Sequence, residues 1–202
     1  MKALEWHRYL HEQRRRFGKV VFAVSELSNV SGSSLRTLNV TLGRLQKQGV
    51  IVRYAQGLYG LPNAVTSVQL LPYLDSAAYI TAASALSALN LITQIPSEIV
   101  CFTNRRSGRP RVRVTPVGRF VFVYVPASVY AHPKRGELVG CAQALCDYAF
   151  LMRRRGVDPL GQLTFRNLDR IDKAEMERHL LRYPTSTRKS VMNICAANAQ
   201  NA

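Results

Sequence analysis

One segment of the sequence, from Ser31 to Gly49, sorts its side chains by type at the period of a helix. Its four leucines fall three or four residues apart and form one apolar stripe about 80° wide. They are Leu35, Leu38, Leu42 and Leu45. The candidate contact residues lie away from this stripe; all are hydrogen-bond donors or positively charged except Val40, which presents methyl groups. They are Ser33, Ser34, Arg36, Thr37, Val40, Thr41, Arg44 and Lys47.

These residue types match the groups that a DNA duplex presents. The arginine fork fits O6 and N7 of guanine, hydroxyl groups contact phosphates or bases, and a valine methyl contacts the methyl of thymine. Residues at the start of such a helix reach bases best, and the helix amides attract phosphate there. An ordinary amphipathic helix with a solvated polar face has the same pattern, so the neighbouring elements must decide between the two interpretations.

Signals for two other helices precede this segment. An apolar stripe at helical spacing predicts a first helix that ends at Gly18. A second, short helix is expected with Ser25 as its N-cap, Val30 pointing inward and Gly32 as its turn. The third helix is the one described above, with Ser33 or Ser34 as its N-cap.

A β-hairpin is expected directly after the third helix, which ends at Gly49. Two short apolar and aromatic runs, 50–54 and 58–61, flank a tight turn at 55–57. Helix, short helix, longer helix and hairpin is the order of a winged helix-turn-helix, in which the third helix enters the major groove. The hairpin would be the wing of this motif, and its residues Arg53 and Gln56 would contact the DNA.

A second group of side chains with binding chemistry is an arginine patch in the middle of the chain. Two-residue alternation places Arg111 and Arg113 on one face of a strand and two valines on the other. Guanidinium groups suit phosphate and carboxylate alike, so a nucleic acid backbone and an acidic protein are both candidate partners. A solvated strand that only discourages edge pairing is a third interpretation. The patch comprises Arg105, Arg106, Arg109, Arg111, Arg113 and Arg119.

The remaining pattern predicts a second domain. Pro62 and a nearly uncharged stretch after it place a boundary near residue 65, giving domains 1–64 and 65–202. An alanine-rich helix is expected at 77–89, and strands are expected at 98–103, 111–115 and 119–126. Further helices are expected from residue 141, near 172–182 and near 186–197. The fold class is therefore α+β, with a small sheet flanked by helices in the second domain.

Charge points to a polyanionic partner. The chain holds 28 Lys and Arg against 12 Asp and Glu, a formal net charge of +16. Residues 1–62 carry 10 basic and 3 acidic side chains, and residues 99–135 carry 8 basic and none acidic. A generally basic surface would not leave so long a stretch without an acid, so nucleic acid is the favoured partner class.

Several other classes are disfavoured. Carboxylates are not clustered as a metal-dependent nuclease requires, and no glycine-rich phosphate loop, HExxH or GxSxG occurs. We therefore expect no enzymatic activity, no cofactor and no metal. The four cysteines show no CxxC spacing, which fits thiols in a reducing cytoplasm. The uncharged run between Asp75 and Glu98 is too polar and short for a membrane span.

Four segments in this order resemble the AbiEi family of abortive-infection antitoxins. They are FAVSELSNVSGSSLRTLNVTLGRLQKQGVIVRYAQGLYGLP, AAYITAASALSALNLITQIPSEIVCFTNRR, TPVGRFVFVYVP and ALCDYAFLMRRRGVDP, which span residues 22 to 159. The resemblance implies an N-terminal winged helix-turn-helix and a C-terminal antitoxin domain. It also implies a protein that represses its own toxin-antitoxin operon, with a nucleotidyltransferase-like toxin as functional partner, often without a stable complex.

Together these observations predict a cytoplasmic DNA-binding repressor and antitoxin without catalytic activity. Its partner would be the double-stranded DNA of its own operator, bound through the third helix and the wing, with the arginine patch adding phosphate contacts. The alternative is a protein-interaction module, in which the arginine-rich hairpin grips an acidic surface of the toxin and DNA binding is secondary.

Overall fold

The computed structural model describes residues 2–106, 111–133 and 136–200 of the 202-residue chain. It is a mixed α+β protein with one sheet of three strands and one of four. The chain divides into two compact units: unit 1 comprises residues 1–76 with 115–117, and unit 2 comprises 77–114 with 118–202. The boundary expected from the sequence, between residues 64 and 65, lies before the last helix of unit 1.

Unit 1 alternates helices with short strands. Its sheet is antiparallel, with strand order β1-β3-β2. The expected helices and hairpin are present, and β1 and α4 are additions that the sequence patterns did not predict. The elements in chain order are α1 (Ala3–Phe17), β1 (Val21–Ala23), α2 (Val24–Ser31), α3 (Leu35–Lys47), β2 (Val52–Ala55), β3 (Leu58–Gly60) and α4 (Ser67–Leu74).

The ends of α3 follow from local chemistry. The Ser34 hydroxyl accepts a hydrogen bond from the Thr37 amide at 3.3 Å, so Ser34 is the N-cap. Gly49 follows the helix with φ of 70°, a left-handed conformation that glycine adopts without strain. Both ends agree with the sequence prediction.

Three leucines of α3 anchor it in the core of unit 1. Leu38, Leu42 and Leu45 are each no more than 2% exposed, and burying a leucine contributes about 1.5–3 kcal/mol. The other members of this core come from α1, α2 and the strands around the sheet. They are Trp6, Leu10, Phe22, Leu27, Ile51 and Leu61.

Three sequence predictions in this region are wrong. Leu35 is 56% exposed, because it starts α3 and points about 50° away from the centre of the buried stripe. Val30, at the end of α2, is 41% exposed. Ser25 lies inside α2, whose N-cap is Ala23; the Ala23 amide is satisfied by the Glu26 carboxylate at 2.9 Å instead.

Unit 2 is built on a four-stranded sheet of order β4-β5-β7-β6. β5 and β7 are parallel neighbours, with Glu98 opposite Arg119 at one end and Thr103 opposite Tyr124 at the other. The three expected strands are confirmed, and the expected helix at 77–89 is instead a short strand followed by a shorter helix. The elements are β4 (Tyr79–Ile80), α5 (Ala82–Ala88), β5 (Glu98–Thr103), β6 (Val112–Thr115) and β7 (Gly118–Tyr124).

Helices supply most of the core of unit 2. The expected helices are confirmed as α6 (Cys141–Arg154), α7 (Lys173–Leu180) and α8 (Thr185–Gln200). Every residue from 142 to 149 is buried, so α6 is the central helix of the unit and has no solvated face along that stretch. Its two ends, by contrast, reach the surface, and the C-terminal end carries three successive arginines.

Candidate nucleic-acid interface

The outward face of α3 presents most of the side chains that the sequence predicted for DNA contact. Arg36, Thr37, Arg44 and Lys47 are exposed, and Thr41 is half-buried. Val40 is 53% exposed, so an apolar methyl surface lies among the donors. The three buried leucines fix the rotation of the helix, and this face is therefore directed to solvent by the core behind it.

Three hydroxyls on this face are oriented by hydrogen bonds within the helix and its N-cap. The Ser34 and Thr37 hydroxyl oxygens lie 3.0 Å apart in a hydrogen bond. The Thr41 hydroxyl donates to the Thr37 carbonyl oxygen at 3.0 Å. Bound in this way, Thr41 keeps its acceptor lone pairs and its methyl for a partner, whereas Arg36 and Arg44 are the long donors of the face.

Ser33 belongs to the turn between α2 and α3. Its carbonyl oxygen accepts from the Ser28 hydroxyl at 3.1 Å, and its amide donates to the Ser31 hydroxyl oxygen at 3.2 Å. These bonds fix the angle between the two helices. The backbone of Ser33 therefore has a structural part, and its half-buried hydroxyl donates to the Ser31 carbonyl oxygen at 3.4 Å.

The predicted wing residues lie on the β2–β3 hairpin. Gln56 is exposed in its turn, next to Gly57. The Arg53 side chain folds back, with Nε donating to the Ala55 carbonyl oxygen at 3.3 Å. The hairpin is fixed from below by the buried Tyr54, whose hydroxyl donates to the Leu61 carbonyl oxygen at 2.8 Å.

The predicted arginine patch does not form one continuous surface. Arg119 pairs with Glu98 at 3.0 Å, at the end of the β5–β7 pair where both strands begin. Arg106 lies beyond the opposite end, with its guanidinium carbon 4.9 Å from the centre of the Tyr124 ring. At about 3.3 Å per residue, the two ends are about 17 Å apart along β7. Arg109 lies outside the described residues.

Arg113 and its neighbours show a different use of the predicted alternation. The Arg113 guanidinium lies 4.5 Å from the centre of the Phe122 ring and is half-buried. The valines on the opposite face, Val112 and Val114, are 36% and 76% exposed. The alternation is therefore as predicted, with the valine face directed to solvent.

A neighbour of the patch was missed at the sequence level. Arg154, at the end of α6, donates from Nη1 to the Tyr124 carbonyl oxygen at 2.7 Å. Three elements thus bring arginines to the same end of the sheet: the segment after β5, the start of β6 and the end of α6. The RRR run at 153–155 was a signal for this, since successive arginines at the end of a helix reach beyond its last turn.

The buried carboxylate of Asp147 was also missed, because a single acid in an apolar helix shows no motif. It accepts from the Thr81 hydroxyl at 2.6 Å and from the Tyr183 hydroxyl at 2.6 Å. Burial raises the pKa of Asp147 to about 7, although hydrogen bonds from Thr81, Tyr183 and Gln143 favour the ionised form. Because Asp147 is fully buried, this network connects α5, α6 and the start of α8 rather than offering a group to a substrate.

Other sites for chemistry are limited in the described part of the chain. No three His, Cys, Asp or Glu side chains come together there as possible metal ligands. Within the same ranges, no helix has the length and apolar character needed to cross a bilayer. The four cysteines are free thiols, and burial raises the pKa of the Cys146 thiol well above its usual value.

A cavity of about 510 Å³ lies between α7, α8 and a 3₁₀ turn at Leu168–Arg170. Met176, Leu180 and Met192 are among its apolar lining residues, and its charged lining residues are Asp169, Lys173 and Glu177. An apolar lining with more negative than positive charge favours apolar groups over phosphate.

Comparison with known proteins establishes the fold. No known family model matches the chain, and no curated protein sequence matches it. Among solved structures, it is similar to the crystal structure of the RV2827C protein from Mycobacterium tuberculosis, with a TM-score of 0.58 and 16% sequence identity. The match covers 93% of this chain and 75% of that one. At this identity the likeness shows a shared fold.

Proposed function

We propose that the chain is a DNA-binding transcriptional repressor, and that unit 1 is a winged helix-turn-helix that binds an operator. The observation that carries the proposal is the face of α3: exposed arginines, a lysine and hydroxyls stand over three buried leucines, and a hairpin follows. In this arrangement α3 lies in the major groove and the β2–β3 hairpin lies along the backbone.

Charge supports a duplex as the partner of this face. The described part of α3 carries Arg36, Arg44 and Lys47 without one acidic side chain. The three carboxylates of residues 1–62 lie on α1 and α2, where Glu12 pairs with Arg16 at 2.8 Å and Glu26 pairs with Lys19 at 2.6 Å. These three acids thus lie on helices other than α3, and the positive charge of α3 is available to phosphates.

The resemblance to AbiEi antitoxins extends the proposal. It assigns the chain to a toxin-antitoxin operon, as a cytoplasmic repressor of its own promoter whose functional partner is a nucleotidyltransferase-like toxin. The protein acts by binding, without catalysis.

Operator binding by Arg36→Ala tests the proposal. Arg36 is exposed in the first turn of α3, so its loss removes a base or phosphate contact and leaves the core intact; a lost bidentate base contact costs about 1–3 kcal/mol. The matched control is Arg16→Ala, which removes the same charge from α1. In a gel-shift series on the promoter DNA upstream of the gene, we expect weaker binding by Arg36→Ala than by Arg16→Ala. Equal affinity of the two variants would contradict the assignment of α3.

A further inference from the structure

Tyr124, the last residue of β7, is a meeting point for arginines from separate parts of unit 2. Its ring lies 4.9 Å from the Arg106 guanidinium carbon, and its carbonyl oxygen accepts from Arg154 at 2.7 Å. Arg111 directly precedes β6, and its carbonyl oxygen accepts from the Phe122 amide at 2.7 Å. Arg153 and Arg155 flank Arg154 and are exposed. We call Arg106, Arg111, Arg153, Arg154 and Arg155 the Tyr124 cluster.

The cluster is positively charged and uncompensated. Across residues 2–106, 111–133 and 136–200, none of its five arginines is in an ion pair. Arg119, the patch residue at the far end of β7, differs because it is paired with Glu98. Like charges held together without a carboxylate cost free energy, so such a set is stabilised when an anion binds.

The geometry also prepares the guanidinium groups for phosphate. The Tyr124 ring covers one face of Arg106, which restricts the side chain and leaves the N–H edge available for a bidentate contact. The end of α6 would gain dipole stabilisation from any basic residue, but Arg154 donates to β7 instead of its own helix. That bond holds the end of α6 against the end of the sheet, and Arg153 and Arg155 are exposed on either side of Arg154 in sequence.

We propose that the Tyr124 cluster is a second DNA-binding surface of the chain, which holds the phosphate backbone of a duplex without reading its sequence. The inference rests on the proposed function only because that function brings duplex DNA to the chain. A single strand would require uncovered aromatic faces on which its bases could stack, and Arg106 covers one face of Tyr124. Phosphate oxygens along a duplex suit guanidinium groups that several elements bring to one end of a sheet.

The test compares two variants that carry the same loss of charge in unit 2. The cluster variant combines Arg106→Gln, Arg111→Gln, Arg153→Gln and Arg155→Gln; it keeps Arg154, whose bond to Tyr124 is structural. The control combines Arg170→Gln, Lys173→Gln, Arg178→Gln and Lys189→Gln, all exposed and close to α7 or α8. Circular dichroism melting of both full chains checks that the fold is unchanged.

Binding is measured by fluorescence anisotropy on a duplex of about 20 base pairs that lacks the operator, at salt from about 50 to 300 mM. Each lost phosphate contact reduces the slope of log K against log salt by about 0.9. For the cluster variant we expect a slope smaller in magnitude by about 2 to 4, with affinity at low salt reduced at least about tenfold. We expect the control variant to keep a slope within about 1 of the wild type.

The two proposals fail in distinguishable ways. A cluster variant with the wild-type slope overturns the second surface, whatever Arg36→Ala does on the operator. If Arg36→Ala binds the operator as strongly as Arg16→Ala while the cluster variant still shows the reduced salt slope, the failure concerns α3 alone. If poly-L-glutamate binds the wild type more tightly than DNA does, and this binding is lost in the cluster variant, the surface is assigned to an acidic protein and the proposal is wrong.

Discussion

The hydroxyl of Tyr183 donates a 2.6 Å hydrogen bond to Oδ1 of Asp147, a carboxylate with no exposure to solvent. Thr81 donates to Oδ2 of the same carboxylate from 66 residues earlier in the chain. A buried ionisable group of this kind costs free energy when it is charged and costs little when it is protonated. The protonation state of Asp147 is therefore linked to the stability of unit 2.

Stability should fall as pH rises toward neutral. The pKa of Asp147 is raised from its ordinary value of 3.8 to about 7, so the folded chain binds a proton that the unfolded chain has lost. Its stabilising effect is complete below the ordinary value and is lost as pH rises through about 7. We expect Asp147→Asn, which cannot ionise and retains hydrogen bonding, to flatten this dependence. Thermal melts of both proteins from pH 4 to pH 8 check it, and parallel curves would contradict the linkage.

Leucines of α3 should differ sharply in their effect on stability. Leu42 is 1% exposed and Leu35 is 56% exposed. Leu42→Ala should destabilise the protein by about 2–5 kcal/mol, because it removes buried surface and leaves a cavity. Leu35→Ala should change stability by less than about 0.5 kcal/mol. Urea unfolding of the two variants measures the difference, and similar midpoints would mean that α3 is rotated from the described position.

Two glycines offer a matched pair of alanine substitutions. Gly60, at the end of β3, has the Val20 carbonyl oxygen where a Cβ would lie, so Gly60→Ala forces the backbone to move. Gly43, within α3, has no atom within 4 Å of a Cβ position. Gly43→Ala should stabilise the protein by about 0.5–1 kcal/mol through helix propensity. Opposite shifts in melting temperature are expected, and a tolerated Gly60→Ala would contradict the close approach of Val20.

Arg119 should contribute little to DNA binding, although the sequence grouped it with the other patch arginines. Its guanidinium is paired with Glu98 at 3.0 Å, and an exposed pair of this kind contributes about 0–1 kcal/mol to stability. Arg119→Gln should therefore leave both the melting temperature and the salt dependence of DNA binding nearly unchanged. A reduction of the salt slope by about 1 would show that Arg119 contacts a phosphate.

The sequence predicted the elements that depend on local chemistry. The cap at Ser34, the glycine exit at Gly49 and the strands from residue 98 onward all follow from periodicity and turn residues. The strands β1 and β4 were missed because two or three residues show no periodicity, and pairing with distant strands stabilises them. Leu35 was misassigned because it starts α3 and points about 50° away from the centre of the buried stripe, to which its spacing had assigned it.

Residues of the candidate site were likewise predicted where they share one element and missed where distant elements bring them together. The outward side chains of α3 were predicted because one helix carries all of them. The meeting of Arg106 with Arg154 at Tyr124 was not predicted, since it depends on the parallel pairing of β5 with β7 and on the packing of α6. The network of Asp147 was not predicted, because its partners, Thr81 and Tyr183, are far from it in sequence.

Parallel pairing also constrains the order in which unit 2 can form. β5 and β7 run in the same direction, so no tight turn can join them. In the chain β6 comes between them, although in the sheet it lies at the edge beyond β7. Arg154 reaches Tyr124 only when a further 30 residues have been added to the chain. Such distant contacts require loop closure and are slow to form. An elongating chain on the ribosome thus exposes α3 long before the arginines at Tyr124 are assembled, and a fragment ending before α6 would lack Arg153, Arg154 and Arg155.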